Sequence, residues 1–185
     1  MALKATIFKA DLQVSDLDRR HYASHALTIA RHPSETDERM MMRVLAFALN
    51  ADDALAFGKG VSTEDEPDLV RKDLTGAIEA WIDVGQPDER RIRRACGRAA
   101  QVSVYCYSGH GAGLWWSQVG DKLECLRNLS VVNLPAGVGP ALAKLADRNM
   151  QLQFTIQEGQ VWVSAGESVV HLEPEVLKRA EAETH

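Results

Sequence analysis

No apolar run in this 185-residue sequence approaches the roughly 20 residues that a membrane-spanning helix needs. Residues 1–6 also lack the basic region and sustained apolar stretch that begin a secretory signal. We therefore expect a cytoplasmic protein that has no membrane partner. Because 45% of its residues are hydrophobic and 25% are charged, the composition is that of an ordinary globular protein and excludes disordered and collagen-like classes.

Cysteine is scarce, and the three cysteines, Cys96, Cys106 and Cys125, show no CxxC spacing. An odd number cannot pair completely, so the sequence favours a reducing compartment and argues against a thiolate zinc site. The six histidines form no HExxH motif and no serine occupies a GxSxG elbow, which excludes the zincin and hydrolase-triad patterns. The glycine-rich run 109–113 lacks GxGxxG spacing and a P-loop lysine, so it favours a flexible turn over a nucleotide site.

Positive charge is in deficit, with 21 Lys and Arg residues against 26 Asp and Glu residues and a net charge of −5. Lys and Arg provide affinity for phosphate backbones by displacing counterions, so any nucleic-acid contact here must be local. Arginine is concentrated on the helix predicted after residues 87–88, where the candidate nucleic-acid-binding residues are Arg90, Arg91, Arg94 and Arg98. All but Arg91 recur every four residues and form a ridge that suits phosphates. The alternative is a solvated helix face paired with carboxylates such as Glu89.

The periodicity of apolar residues predicts one α/β domain over residues 1–185, with a mixed central sheet flanked by helices. Strands are expected at 5–16, 21–31, 101–107, 125–134, 151–156 and 160–164, together with a hairpin that turns at 74–77. Helices are expected from Ser34, as N-cap, to about Asn50, from Pro87-Asp88, from Gly113 and at 139–149, followed by a helix-prone segment at 173–185. Residues 51–66 are expected to form a loop or a short irregular helix. The first helix should bury one apolar stripe: Met41, Met42, Leu45 and Leu49.

The predicted hairpin carries the most informative residues, Asp68 and Asp83, at the outer ends of its strands. By strand alternation Asp83 shares a face with Trp81 and Glu79, while Ile78 lies on the other face. Because Mg²⁺ prefers oxygen ligands and keeps several waters, two carboxylates are enough to hold it beside a phosphate. The alternative is that both aspartates merely end strands in solvent.

The chain resembles the bacterial YaeQ family over essentially its whole length. Its central similarity lies in residues 27–36 and 38–40 and in the run Trp81-Ile82-Asp83-Val84-Gly85-Gln86-Pro87-Asp88-Glu89-Arg90-Arg91. Further segments that carry the resemblance are 1–7, 115–116, 129–131 and 156–159.

The family in turn resembles the PD-(D/E)XK nuclease-like superfamily, so the resemblance implies a restriction-endonuclease-like core with extra strands at the N- and C-terminal ends. It assigns Glu38 as the acidic residue of the first helix, Pro67-Asp68 as the PD step and Asp83 as the second acid. The superfamily lysine is missing, because Gly85 stands two residues after Asp83.

Two functions are compatible with these residues. The first is a phosphodiesterase that cleaves DNA or RNA with Mg²⁺ or Mn²⁺ bound by Asp68 and Asp83, assisted by Glu38, with Gln86 or Lys72 in place of the missing lysine. The second is a non-catalytic member of the same fold that binds nucleic acid or a protein partner through the same cleft.

Overall fold

The computed structural model describes residues 4–59 and 65–182 and shows a mixed α/β fold with two mixed sheets flanked by helices. Sheet A has the strand order β10-β9-β8-β1-β2, formed by β1 (Thr6–Asp16), β2 (His21–Arg31), β8 (Asn149–Gln157), β9 (Gln160–Ala165) and β10 (Ser168–Leu172). Sheet B has the order β11-β7-β6-β5-β4-β3, formed by β3 (Leu55–Phe57), β4 (Leu69–Lys72), β5 (Ile78–Val84), β6 (Ala99–Cys106), β7 (Leu129–Asn133) and β11 (Glu175–Lys178). The helices are α1 (Asp37–Leu49), α2 (Glu89–Arg98), α3 (His110–Leu123) and α4 (Val138–Ala143).

The α/β class is therefore confirmed, but the expected single central sheet is wrong, because there are two sheets. The N-terminal hairpin β1–β2 is extended by β8, which runs parallel to β1. This pairing joins segments that are more than a hundred residues apart, and strand alternation alone does not reveal such a partner. Along β1 the side chains of Phe8, Ala10, Leu12 and Val14 are buried on one face.

Sheet B positions the candidate site. Strands β5, β6 and β7 are parallel and are connected through α2 and α3, so their carboxyl ends lie at one edge of the sheet. The predicted hairpin is confirmed as the antiparallel pair β4–β5. Its turn is closed by Asp73, whose Oδ1 accepts hydrogen bonds from the backbone N–H groups of Thr75 and Ala77.

Helix α1 is buried almost all round, rather than along the one predicted stripe. The residues from Met40 to Ala48 are all buried, and the main hydrophobic cluster combines them with side chains of both sheets. The N-cap is Thr36, whose hydroxyl accepts from the Arg39 N–H at 3.1 Å, and not Ser34. The Ser34 hydroxyl instead lies 2.6 Å from a ring nitrogen of His32.

Other element predictions need correction. Residues 175–178 form the edge strand β11, where sheet pairing with β7 overrides the helix propensity of this charged segment. Helix α4 ends at Ala143, well before the predicted end at 149, and the strand β8 begins at Asn149. The short strand β3 lies within the segment expected to be a loop or a short irregular helix, which also includes residues outside the described part of the chain.

A bulge changes the face assignment on β5. The register runs Arg71 with Ala80 and then Lys72 with Ile78, so Glu79 is skipped. Ile78 packs against the same hydrophobic cluster as Trp81, whereas Glu79 pairs with Arg71 at 3.1 Å. The prediction that Glu79 shares the Trp81 face is therefore wrong, because strand alternation is interrupted at a bulge.

Candidate functional site

The hairpin brings Asp68 and Asp83 together, as the sequence predicts. Asp68 immediately precedes β4, and the register of Leu69 with Ile82 places it opposite Asp83. The backbone N–H of Val84 donates to Asp68 Oδ2 at 2.8 Å, which ties the two strand ends to each other. Asp83 is buried with an exposed fraction of 2%. The pair is thus enclosed by protein rather than ending strands in solvent.

Each of these carboxylates is held by an arginine. Arg91 binds Asp83 through two hydrogen bonds, from Nε to Oδ2 at 2.8 Å and from Nη2 to Oδ1 at 3.0 Å. Arg39 donates from Nη2 to Asp68 Oδ1 at 2.8 Å. Both oxygens of both aspartates therefore accept at least one hydrogen bond, and each negative charge has a guanidinium beside it.

The arginine of α1 belongs to a longer chain of ion pairs. Arg39 also donates to Glu35 at 2.7 Å, and Glu35 accepts from Arg43 at 2.5 Å. Glu35 and Arg43 are both buried. A search for clusters of acidic residues misses this chain of ion pairs. Its sequence signal is the spacing of four residues between Glu35, just before the helix, and Arg39 and Arg43, which share one face of α1.

The electrostatics agree with this pairing. The hydrogen bond from Arg91 to Asp83 is the main cause of a raised Arg91 pKa, and it outweighs the lowering by burial. Burial has the largest single effect on the pKa of Arg39 and lowers it, but the charge and hydrogen bond of Asp68, together with Glu35, raise the pKa overall. Both guanidinium groups therefore keep their charge beside the aspartates.

Glu38 contacts α4 rather than either aspartate directly, although burial raises the pKa of Tyr107 and the charges of both Glu38 and Asp68 add to that rise. The half-buried Glu38 side chain packs on α4, where a Cβ at Gly139 would fall 2.0 Å from Glu38 Oε1. In residues 4–59 and 65–182 it has no ion pair with Arg39 or Arg91 and no hydrogen bond to either aspartate.

The two residues proposed to replace the missing lysine lie in different places. Gln86 follows β5 and donates from Nε2 to the Tyr107 carbonyl oxygen and, at 3.2 Å, to Ser108 Oγ. Lys72 is at the far end of β4, in a pocket beside Trp81. Gly85 itself has φ of +114°, a conformation that side chains with a Cβ rarely adopt.

The aspartates as arranged do not fit a divalent cation. Mg²⁺ needs carboxylate oxygens that face it without competing donors, and here those oxygens face guanidinium and amide N–H groups. Across the described ranges, no group of three or more His, Cys, Asp or Glu side chains is placed to hold a metal ion. Metal binding at Asp68 and Asp83 stays a prediction that requires the arginines to move away.

Helix α2 contains five arginines and one glutamate in ten residues, and it begins at the predicted Asp88 cap. Arg93 pairs with Glu89, while Arg94 pairs with Asp65 at 2.7 Å. Arg98 lies over the Trp81 ring at 5.2 Å. Arg90 is exposed and makes no ion pair with the residues that the structure describes. The ridge thus exists, and its members differ in how firmly neighbours hold them.

None of the helices in the described part of the chain is long and apolar enough to cross a membrane. Of the cysteines, Cys106 is buried, Cys96 is half-buried and Cys125 is exposed.

Comparison with known proteins identifies the family. The family model described as "YaeQ protein" matches residues 1–174. The chain is 50% identical to the uncharacterized protein YaeQ of Salmonella typhi over 165 residues, covering 89% of this chain and 91% of that protein. With the YaeQ protein of Escherichia coli (strain K12) the identity is 48% with the same coverage.

Two solved structures have the same fold. The crystal structure of the YaeQ protein from Xanthomonas axonopodis pv. citri superposes with a TM-score of 0.92 at 48% identity, covering 96% of this chain and 99% of that one. The YaeQ protein from Pseudomonas syringae gives a TM-score of 0.90 at 36% identity, covering 95% of this chain and 97% of that one. The chain belongs to the YaeQ family.

Proposed function

We propose that this protein is a non-catalytic member of a restriction-endonuclease-like fold that binds nucleic acid through the phosphate backbone. The order α1, β4–β5 hairpin, α2, β6 agrees with the core that the sequence resemblance implies. The neutralised aspartates support the absence of catalysis, since every carboxylate oxygen of Asp68 and Asp83 accepts a hydrogen bond.

The charge of α2 is the observation that carries the proposal. Five arginines in ten residues give this helix a strong local positive charge on a chain whose net charge is −5. Phosphate recognition needs only such a local concentration of guanidinium groups. The contact is expected to be independent of base sequence, because phosphates carry no sequence information.

The ion pairs on this helix do not prevent phosphate binding. In the pair of Arg94 with Asp65, the two side chains are 39% and 71% exposed. Exposed pairs of this kind contribute about 0–1 kcal/mol, so a phosphate can replace Asp65 at little cost. Arg90 has no carboxylate partner among the described residues to give up.

Fluorescence anisotropy with labelled single-stranded DNA, double-stranded DNA and single-stranded RNA tests the proposal. The parent protein is compared with an Arg90→Gln, Arg94→Gln variant and with a matched Lys144→Gln, Arg179→Gln control that loses the same charge elsewhere. We expect only the α2 variant to bind the nucleic acids more weakly than the parent. The slope of log K against log salt concentration should also become shallower by about 1–2 in this variant.

Equal weakening of the two variants would show that only net charge matters. Absence of binding by the parent at low ionic strength would refute nucleic-acid binding altogether, and a protein partner would become the remaining binding hypothesis.

A metal-dependent phosphodiesterase is the second candidate, favoured by the adjacency of Asp68 and Asp83 at the end of one hairpin. It requires Arg39 and Arg91 to leave the carboxylates before Mg²⁺ or Mn²⁺ can bind.

A further inference from the structure

A pocket of about 290 Å³ lies beside the hairpin, on the Trp81 side of sheet B. Its wall combines apolar side chains with three cations and two acids: Val70, Ile78 and Trp81, then Lys59, Lys72 and Arg98, then Asp65 and Glu66. Neither aspartate of the candidate site contributes to this wall. The pocket is therefore a separate feature of the molecule.

The indole of Trp81 contains a buried hydrogen-bond donor that has no acceptor. Trp81 has an exposed fraction of 2%, and within residues 4–59 and 65–182 its Nε1 has no hydrogen-bond partner. A buried donor without an acceptor loses its hydration and gains nothing in return, so such groups are rare in folded proteins. A ligand in the adjoining pocket can supply an acceptor once the side chains that cover Nε1 shift, because the atom itself is buried.

The β-bulge determines which side chains face the pocket. In an unbroken ladder Glu79 would lie opposite Lys72 and would neutralise it. The bulge places Ile78 opposite Lys72 instead, and Glu79 binds Arg71. Lys72 therefore lines the pocket without an ion pair to any described residue.

Arg98, a second of these cations, also has no carboxylate partner among the residues that the structure describes. The Arg98 guanidinium lies 5.2 Å from the centre of the Trp81 ring, and its Nη1 donates to the backbone oxygen of Asp65 at 2.9 Å. The acidic side chains of the pocket have their own cations, because Asp65 pairs with Arg94 and Glu66 lies 3.8 Å from Lys59. Among the described residues, the pocket thus has two cations, Lys72 and Arg98, that pair with none of its acids, beside one buried indole N–H without an acceptor.

We propose that this pocket binds a phosphomonoester. The terminal phosphate accepts hydrogen bonds from Lys72 and Arg98 in the pocket wall, and from the buried Trp81 indole N–H once the side chains that cover it shift, so its three free oxygens match three donors. The organic part of the ligand packs on Val70 and Ile78. This assignment does not depend on nucleic-acid binding by α2, since the phosphomonoester is either a free small molecule or the phosphorylated end of a nucleic acid.

Isothermal titration calorimetry with phenyl phosphate tests the proposal on the full-length protein, with phenol as the uncharged control ligand. Lys72→Met removes the charge and keeps the length of an exposed side chain, so the variant is expected to fold. Trp81→Phe keeps an aromatic ring and removes the donor. We expect each change to weaken phenyl phosphate binding about tenfold, as for a lost hydrogen bond to a charged group.

Matched variants separate these effects from general changes in charge and aromatic content. Lys144→Met and Trp116→Phe lie away from the pocket and should leave the affinity unchanged. The proposal is overturned if the parent gives no saturable heat with phenyl phosphate into the millimolar range, if phenol binds equally well, or if Lys72→Met has no effect.

A second titration separates the two sources of the phosphate. A short oligonucleotide with a 5′-phosphate is compared with the same oligonucleotide ending in a 5′-hydroxyl. If the phosphorylated form competes with phenyl phosphate and the hydroxyl form does not, the ligand is a nucleic-acid end. If phenyl phosphate binds and neither oligonucleotide competes, the ligand is a free small molecule.

Discussion

The ion pair between Asp83 and Arg91 is the central feature of the candidate site, and we expect its loss to lower the free energy of unfolding. Replacing Arg91 with Met removes both hydrogen bonds to Asp83, at 2.8 Å and 3.0 Å, and leaves the carboxylate without its guanidinium. The methionine keeps most of the packing of the long arginine side chain. The Asp83 carboxylate then remains buried and charged without the Arg91 guanidinium that neutralised it.

The magnitude follows from burial. Removing one partner of a buried ion pair costs about 3–5 kcal/mol. The Asp83 side chain is 3% exposed but that of Arg91 is 25% exposed, so water can reach the vacated position and the lower end, about 3 kcal/mol, is expected. Asp83→Asn is expected to cost less, because an arginine at the surface can be rehydrated.

The assay is urea denaturation of four proteins: the parent, Arg91→Met, Asp83→Asn and the double variant. In the double variant neither charge remains, so its loss of unfolding free energy should be smaller than the sum of the two single losses by about 2 kcal/mol. Additive losses would refute the claim that Asp83 and Arg91 stabilise each other.

A variant that lacks both arginines decides the metal question. Arg39→Met together with Arg91→Met leaves both aspartates without a guanidinium, so millimolar Mn²⁺ should raise the melting temperature of this variant and not that of the same variant with Asp68→Asn and Asp83→Asn added. The parent should show no rise. An equal rise in the parent would mean that the arginines do not exclude a cation, and it would favour the phosphodiesterase.

Three further predictions concern single groups. Burial and the charge of His21 lower the pKa of His25 below its ordinary value of 6.5, so the unfolded chain binds the proton more readily than the folded one. The melting temperature should therefore fall as the pH falls below 6.5, and the fall should be smaller in His25→Gln than in a His171→Gln control. Exposed Cys125 should react with iodoacetamide at pH 8 before the other thiols, since burial raises the pKa of Cys96 and Cys106 to about 11. Mass spectrometry follows the reaction, and a Cys125→Ser variant that is alkylated as fast as the parent would contradict this prediction. Gly85→Lys should lower the unfolding free energy by about 1–2 kcal/mol, because Gly85 has a φ of +114° that a residue with a Cβ rarely adopts. Gly97→Ala in α2 should cause no such loss, and equal urea midpoints for Gly85→Lys and the parent would refute the backbone explanation.

Local patterns in the sequence were enough to predict the elements that surround the site. Strand alternation and turn residues located β1, β2 and the β4–β5 hairpin, and the Asp88 cap located the start of α2. These features depend on residues that are close together in the chain. The division into two sheets was not predicted, because the parallel pairing of β1 with β8 depends on contacts between distant segments.

The acidic pair was predicted correctly as a pair, but its surroundings were not. Register within one hairpin is enough to bring Asp68 opposite Asp83. The partner of Asp68, Arg39, lies 29 residues away on another element, and such a distance leaves no periodic signal between the two residues. A motif search that counts only carboxylates therefore predicts a metal site wherever they converge.

The charges around the hairpin follow one physical rule on both of its sides. A buried carboxylate requires a cation or several hydrogen-bond donors, and the arginines of α1 and α2 meet that requirement at Asp68 and Asp83. Beside Trp81 the situation is reversed, because Lys72 has no anion and the indole N–H has no acceptor among the described residues. The charges of the aspartates are thus balanced by arginines of the protein, whereas the described residues do not balance Lys72, and this difference is the physical reason to look for ligand binding in the pocket rather than at the aspartates.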